Sequence, residues 1–147
     1  VANSIYYAFL NGILGAHATR VDLGVTAGGD TIKIALIDEG AAAGACDETV
    51  DDFWDDQSSG LIGTAYTLVN KTRGTVAAGV FDNTVDPAPA FTAVSGATVE
   101  ALCLFKDTGT ASTSNLICYW DTATGLPLTP NGGDVNVTFN ASGIFKI

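Results

Sequence analysis

Basic residues are scarce in this chain. Six Lys and Arg stand against 16 Asp and Glu, giving a net charge of −10 and an isoelectric point near 4.1. Binding to a phosphate backbone relies on clustered cations that release counterions. Arg20, Lys33, Lys71, Arg73, Lys106 and Lys146 are scattered instead, so neither nucleic acid nor an anionic membrane is an expected partner. Histidine is scarcer still. His17 is the only one, and any Ser-His-Asp or Cys-His pair would have to use it. It sits in GAHATR, a connector of small residues with no nucleophile motif beside it. The chain also lacks GxSxG, a P-loop, HExxH and a GxGxxG opening a helix. Acids are abundant, but abundance does not supply the fixed carboxylate separation that glycoside hydrolysis needs. The expectation is a protein with no catalytic residues, no metal and no cofactor.

Cysteine is sparse and odd in number. Cys46, Cys103 and Cys118 follow neither a CxxC nor a zinc spacing. Cys103 and Cys118 lie inside apolar runs, where a thiol acts as a small buried hydrophobe. Free thiols fit synthesis in a reducing cytoplasm. No run reaches the ~18 apolar residues of a membrane span. The apolar opening stretch, 1–20, has its first cation at Arg20, after the apolar run and not before it. It therefore reads as structure and not as a targeting signal. Charged residues make up only 15% of the chain against 47% hydrophobic, with a mean hydropathy of +0.30. That composition is too apolar for disorder. It is also under-charged for a free monomer, so some apolar surface is expected to be hidden against a partner.

What the chain does contain is β grammar. Residues 97–107, 114–121, 133–140 and 143–147 are short β-type runs separated by turn-rich stretches such as TATGLPLTPNG. TIKIALID (31–38) alternates cleanly, with Ile32, Ile34 and Leu36 on one face. Runs 61–70 and 71–83 read as two strands joined by a tight turn near Asn70–Arg73, and 91–96 as a further short strand. Asp86-Pro87-Ala88-Pro89 breaks the sheet, because proline donates nothing to a ladder. No solenoid repeat and no interdomain linker is visible. The reading is one all-β domain over 1–147, an antiparallel β-sandwich or barrel-like module with a short N-terminal helical segment or arm in 1–20.

Two segments stand apart from the strands. In NSIYYAFLNGIL (3–14), apolar side chains recur at offsets of three and four, with Asn3 or Ser4 as a candidate N-cap. This segment is either a helix closing one end of the domain or an arm that packs on a neighbouring subunit. The second is the acidic insertion 39–60, longer than a typical loop. Asp47, Glu48, Asp51, Asp52, Asp55 and Asp56 cluster there around Val50, Phe53 and Trp54. Oxygen clusters can hold Ca²⁺, which makes Asp47, Asp51, Asp52, Asp55 and Asp56 candidate cation ligands, although the EF-hand spacing is missing. The plainer reading is a solvated loop anchored by its aromatics. Ile5, Tyr6, Tyr7, Phe9 and Leu10 of the arm, with Phe53 and Trp54, are the candidate interface residues, because aromatic anchors dominate hot spots. Tyr119 and Trp120 beside Asp121 could stack on a sugar, though such a pair is more often core on one face and rim on the other. Three Asn-x-Ser/Thr sequons, at Asn70, Asn136 and Asn140, carry meaning only in a secreted eukaryotic protein.

Over GDTIKIALID, TRGTVAAGVFDN, the long series FTAVSGATVEALCLFKDTGTASTSNLICYWDTATGLPLTPNGGDVNVTFN and the terminal GIFKI, the chain resembles a family of small structural proteins of tailed bacteriophages. The resemblance implies a virion component of the head or head–tail region, and brings no active-site residues with it. Of the virion roles it implies, a capsid cement (decoration) protein is expected. Such a protein would sit on the outer capsid surface, with the major capsid protein and further copies of itself, as a homotrimer, for partners. A tail or neck component is the alternative. A carbohydrate- or Ca-binding adhesin module, using Tyr119, Trp120 and the acidic insertion, is a third reading.

Overall fold

The fold is given by a computed structural model that describes residues 3–15, 21–23, 29–42, 45–74, 77–83 and 91–147. His17, Arg20 and the 86–89 break lie outside the described residues. In chain order the elements are β1 (Ser4–Ile5), α1 (Tyr7–Ile13), β2 (Thr31–Ile37), β3 (Leu61–Thr67), β4 (Lys71–Arg73), β5 (Val80–Asn83), β6 (Ala101–Asp107), β7 (Leu116–Trp120) and β8 (Phe145–Lys146). A five-stranded sheet runs in the order β1-β7-β6-β2-β3, and a three-stranded sheet in the order β4-β5-β8. Every strand pairing is antiparallel. The chain is all-β and sandwich-like, and the described strands form no closed barrel.

The alternation of β2 sets the larger sheet. Its seven residues pair one-for-one with β6, from Thr31 opposite Asp107 to Ile37 opposite Ala101. Cross-strand partners share a face. Ile34, Leu36, Leu102, Leu104, Cys118 and Trp120 therefore point one way, and Lys33, Ala35, Ile37, Phe105, Cys103 and Tyr119 the other. The second half of β2 is buried on both faces, so both sides of the sheet must be covered. On the first side lie the three-stranded sheet, through Phe145, and the 126–137 segment. Phe145 shares a groove with Ile5, Cys118 and Trp120. Leu36 and Leu102 line a cleft with Leu126, Leu128, Val135 and Val137. On the second side lies the acidic segment, described below. One continuous hydrophobic cluster links all of these parts.

Several expectations need correction. Runs 61–70 and 71–83 do not form a hairpin. β3 pairs with β2, whereas Lys71–Arg73 pairs with Val80–Asn83 in the other sheet. Asn83, buried, accepts the Asn70 N–H at 3.0 Å and holds the crossover between sheets. Segments 91–96 and 133–140 are not strands. They meet at an isolated bridge, Phe91 with Val135, and through the Val94 N–H, which donates to Gly133 O at 2.9 Å. Ala93 takes a left-handed φ of 50°, which interrupts the pleat, and its N–H is held by Asp134 Oδ1 at 2.9 Å.

The N-terminal helix is real but starts later than expected. Ser4 and Ile5 are strand, paired with Tyr119 and Cys118. Tyr6 stands at the N-cap position with no side-chain cap, so neither Asn3 nor Ser4 caps the helix. Asn3 Oδ1 instead accepts the Thr122 N–H at 3.1 Å and the Thr122 hydroxyl at 2.9 Å, pinning the chain start beside the end of β7. Gly15, at φ 86°, ends the helix by donating to the Gly12 carbonyl.

Candidate functional site

The acidic insertion is not a loose loop. Trp54 is buried and stacks on Phe105, with ring centroids 4.1 Å apart and planes at 1°. Backbone bonds bind the segment to β7 and its approach: Trp54 N–H to Ser114 O at 2.8 Å and Leu116 N–H to Asp52 O at 3.1 Å. Its carboxylates turn inward onto the segment's own amides. Asp56 Oδ2 accepts the N–H groups of Asp52 and Phe53 at 3.0 and 3.2 Å. Asp51 Oδ2 accepts from the Asp47 N–H at 2.9 Å and from the buried Gln57 Nε2 at 2.8 Å. Burial, ahead of its other surroundings, raises the Asp51 carboxyl above the usual range. Asp47 Oδ1 takes the Thr49 hydroxyl and N–H, and these bonds hold its carboxyl below that range. Glu48 accepts the Tyr119 hydroxyl at 2.7 Å.

Of the candidate cation ligands Asp47, Asp51, Asp52, Asp55 and Asp56, three spend a carboxylate oxygen on the segment's own donors: Asp47 Oδ1, Asp51 Oδ2 and Asp56 Oδ2. Among the described residues, no three His, Cys, Asp or Glu side chains are placed to share a metal ion. Asp55 stands exposed.

Under the segment lies a sealed polar pocket. The Tyr6 hydroxyl is 4.0 Å from Cys103 Sγ, and Cys46 Sγ donates to Gln57 Oε1 at 3.7 Å. The Tyr6 and Tyr119 rings meet at 5.3 Å. Burial, first among several causes, pushes the Cys46 thiol up to about 12 and raises Tyr6, Cys103 and Cys118 as well. Each therefore stays neutral and unreactive in the folded protein. Tyr119 is buried and Trp120 half-buried. That is the core-and-rim arrangement, and it takes Tyr119 away from any sugar.

The seven candidate interface residues divide in two. Tyr6, Phe9 and Trp54 are buried in the domain's own core, so the expectation that they meet a partner is corrected. Tyr6 fills the pocket under the acidic segment. Phe9 packs edge-on against Phe145 at 5.8 Å, joining α1 to the three-stranded sheet. Phe53 is half-buried, its backbone bridging to Asn115. Ile5, Tyr7 and Leu10 come together along a groove of about 380 Å³ shared with Trp120 and Phe145.

Tyr7, a candidate from the sequence, is 52% exposed. Ile13, Leu14 and Val50, which sequence reasoning did not single out as interface residues, are 41%, 83% and 74% exposed. The Tyr7 N–H donates to Glu48 O at 2.9 Å, which brings the turn carrying Val50 against the start of the helix. The apolar offsets of Ile5, Tyr6, Phe9, Leu10, Ile13 and Leu14 mark a helical segment, but not which of its faces the rest of the chain covers. Residues 3–15 contain no Asp, Glu, Lys, Arg or His. The helix thus shows apolar side chains to solvent, with Glu48 at its start and Asp22 and Arg73 beside Ile13.

Fold and surface thus define a sandwich-like β domain with exposed apolar side chains along and after α1. No helix among the described residues is long and apolar enough to cross a membrane. No protein-family model matches the chain, and no curated protein does either.

Proposed function

We propose that this chain is a structural component of a tailed-phage virion, a cement (decoration) protein that binds the outer surface of the assembled capsid and clamps junctions between capsomers. The observation that carries the reading is the apolar face of α1 and its groove, set on a β core whose reactive groups are occupied in holding the fold. Such a molecule offers surface. The resemblance of 29–38, 72–83, 91–140 and 143–147 to small phage structural proteins supports the same role. Clamping works by mass action: each copy binds the assembled lattice and not separated capsomers, so occupancy stabilises the shell. Many modest contacts on one particle then add through multivalency. The exposed edge of the acidic segment, with Asp47, Thr49, Val50 and Asp55, is the surface offered to the major capsid protein, its carboxylates steering encounter with a basic patch. Further copies of the chain, as a homotrimer over a three-fold junction, complete the set of partners.

The test is to add purified protein to decoration-free shells of the parent phage, then image the particles and heat them. Density at every equivalent junction and a higher disruption temperature are expected. Density at a single vertex, in six or twelve copies, would replace the proposal with a tail or neck role. No density anywhere would reject both.

A further inference from the structure

We infer that the outer edge of β3 is a strand-addition site, and that its occupant is an extended segment of a different protein, with uncharged side chains where it pairs. The two edges of the five-stranded sheet differ. The β7 edge is sealed along its length. The Leu116 N–H donates to Asp52 O at 3.1 Å, the Trp54 N–H to Ser114 O at 2.8 Å and the Tyr6 N–H to Ile117 O at 3.0 Å, while Ser4 and Ile5 pair with Tyr119 and Cys118. The β3 edge has no such cover. The Leu68 N–H donates to Ile32 O at 2.9 Å, and Tyr66, two residues back, stands opposite Ile34. Backbone groups alternate sides along a strand of an antiparallel pair, so those of Ala65 and Thr67 point away from β2. No described residue bonds to them. An open edge is normally guarded by charge or proline. LIGTAYT, residues 61–67, has neither.

What such an edge takes is fixed by its own groups. Donors and acceptors two residues apart match an extended backbone, and neither a helix nor a folded surface presents that spacing. A groove of about 320 Å³ runs beside the edge, between Ala65, Tyr66 and Thr67 and the segment of Phe91, Thr92 and Val94. Tyr66 shares the face of Ile34, and Thr67 that of Lys33. Only a groove along the edge of a strand touches residues of both its faces. Among the described residues no charged side chain lines it. Lys33, across the ladder, is paired with Asp107, and Asp134 holds the Ala93 N–H. A second copy fits poorly. Between the Ile34–Tyr66 and Leu36–Ile62 pairs, residues 63–65 of β3 face Ala35 alone, with Gly63 at φ 69°. A bulge of this kind bends an edge away from another sheet. Two copies can align little more than residues 65–67 before their bulges and their net charges of −10 part them. A lone peptide follows the bend and brings no second domain with it. The edges of the smaller sheet, β4 and β8, are three and two residues long, too short to template a strand.

The probe is a capped octapeptide, Lys-Thr-Val-Thr-Val-Thr-Val-Lys, whose end lysines serve solubility. It is titrated into the isotope-labelled protein, with chemical shifts and amide hydrogen exchange read residue by residue. At about ten times its dissociation constant the peptide should slow exchange at Ala65 and Thr67 about tenfold. Shift changes should be confined to residues 61–68 and 91–94. The same peptide N-methylated at its six central residues offers no donors and should protect nothing. Thr67→Pro deletes a donor that faces away from β2, so the fold should survive and the dissociation constant should rise about fivefold. If that variant does not fold, the methylated peptide makes the equivalent deletion from the other strand. No protection at Ala65 and Thr67 by roughly 1 mM peptide would overturn the inference, as would equal protection by the methylated peptide. Protection that grows with protein concentration alone would put a second copy on the edge and overturn it too. The measurement involves no shell, so its failure and that of the capsid proposal are separate.

Discussion

Trp54 shows how a single side chain can hold a whole segment. Its ring lies flat on Phe105 with no solvent between them, and its N–H closes a backbone bond to Ser114. Removing the ring leaves a cavity over the sheet that the surrounding strands cannot collapse to fill. Trp54→Ala should therefore destabilise the isolated protein by about 3–5 kcal/mol, read as a fall in the urea midpoint at unchanged slope. Trp54→Phe, which keeps a stacking ring, should cost less. A variant with an unaltered midpoint would return Trp54 to the role of a partner anchor. The residue scale also explains why sequence alone misplaced it. Aspartates flank it on one side and Phe53 on the other, which is how an exposed anchor looks. Only the fold shows that Asp56 bonds inward to the Asp52 and Phe53 amides. Tyr6 and Phe9 were misplaced for a related reason. Periodicity tells which residues share a helix face, and thus separates Tyr6 and Phe9 from Tyr7, Leu10 and Leu14. It does not tell which face the rest of the chain will cover.

Among the elements, strands β2, β6 and β7 were legible because alternation and β-branched content are local properties that tertiary context reinforced. The partner of β4 was not legible. A turn signal near Asn70 marks a change of direction, and both a hairpin and a crossover to a second sheet satisfy it. The acidic segment and the three-stranded sheet are joined to the larger sheet by few, specific contacts, so each has its own test. Tyr119→Phe removes the hydroxyl bonded to Glu48 while keeping the ring. It should lower stability by about 1 kcal/mol, and hydrogen exchange should quicken at residues 47–57 before it does in β6. Uniform quickening would mean that the segment and the sheet open together. In the three-stranded sheet, Gly143 sits at φ 101°, and an added Cβ would collide with Val80 Cγ1 of β5. Its neighbour Ile144 donates its N–H to Phe81 O at 2.9 Å. Gly143→Ala should therefore cost more than about 1 kcal/mol, through both backbone strain and the displaced side chain. Thermal unfolding would read the loss, and no change would mean that β8 contributes little to the core.

At the scale of the whole molecule, the buried hydroxyls and thiols make stability sensitive to alkali. Cys46, Cys103, Cys118, Tyr6 and Tyr119 all have folded values raised above their ordinary ones, burial being the leading cause in each. A raised group contributes its full stabilisation below its unfolded value. That contribution is lost as pH climbs from there through the folded value, because the unfolded chain releases protons that the folded chain keeps. For the thiols the window opens near pH 9 and, for Cys46, runs to about 12. Asp107 has the opposite sign. Its bond with Lys33, and then the Gly109 amide, hold its carboxyl low. Its contribution is present above the ordinary carboxylate range and lost as pH falls through its lowered value. Both partners are partly exposed, so that acid limb is shallow. Stability should thus hold level from about pH 5 to 8. Above pH 9 it should fall by about 1.4 kcal/mol per pH unit for each thiol that stays protonated in the fold. Urea midpoints across the pH series would measure this, and a midpoint unchanged at pH 11 would contradict the sealed pocket. Thiol labelling at neutral pH adds the mechanism. If the domain opens as one body, all three cysteines react together at the global unfolding rate. If the acidic segment lifts first, Cys46, which it carries, reacts ahead of Cys118, which lies on the far face of the sheet. Early labelling of Cys46 alone would then show that the acidic segment can move while the sheet beneath it stays closed.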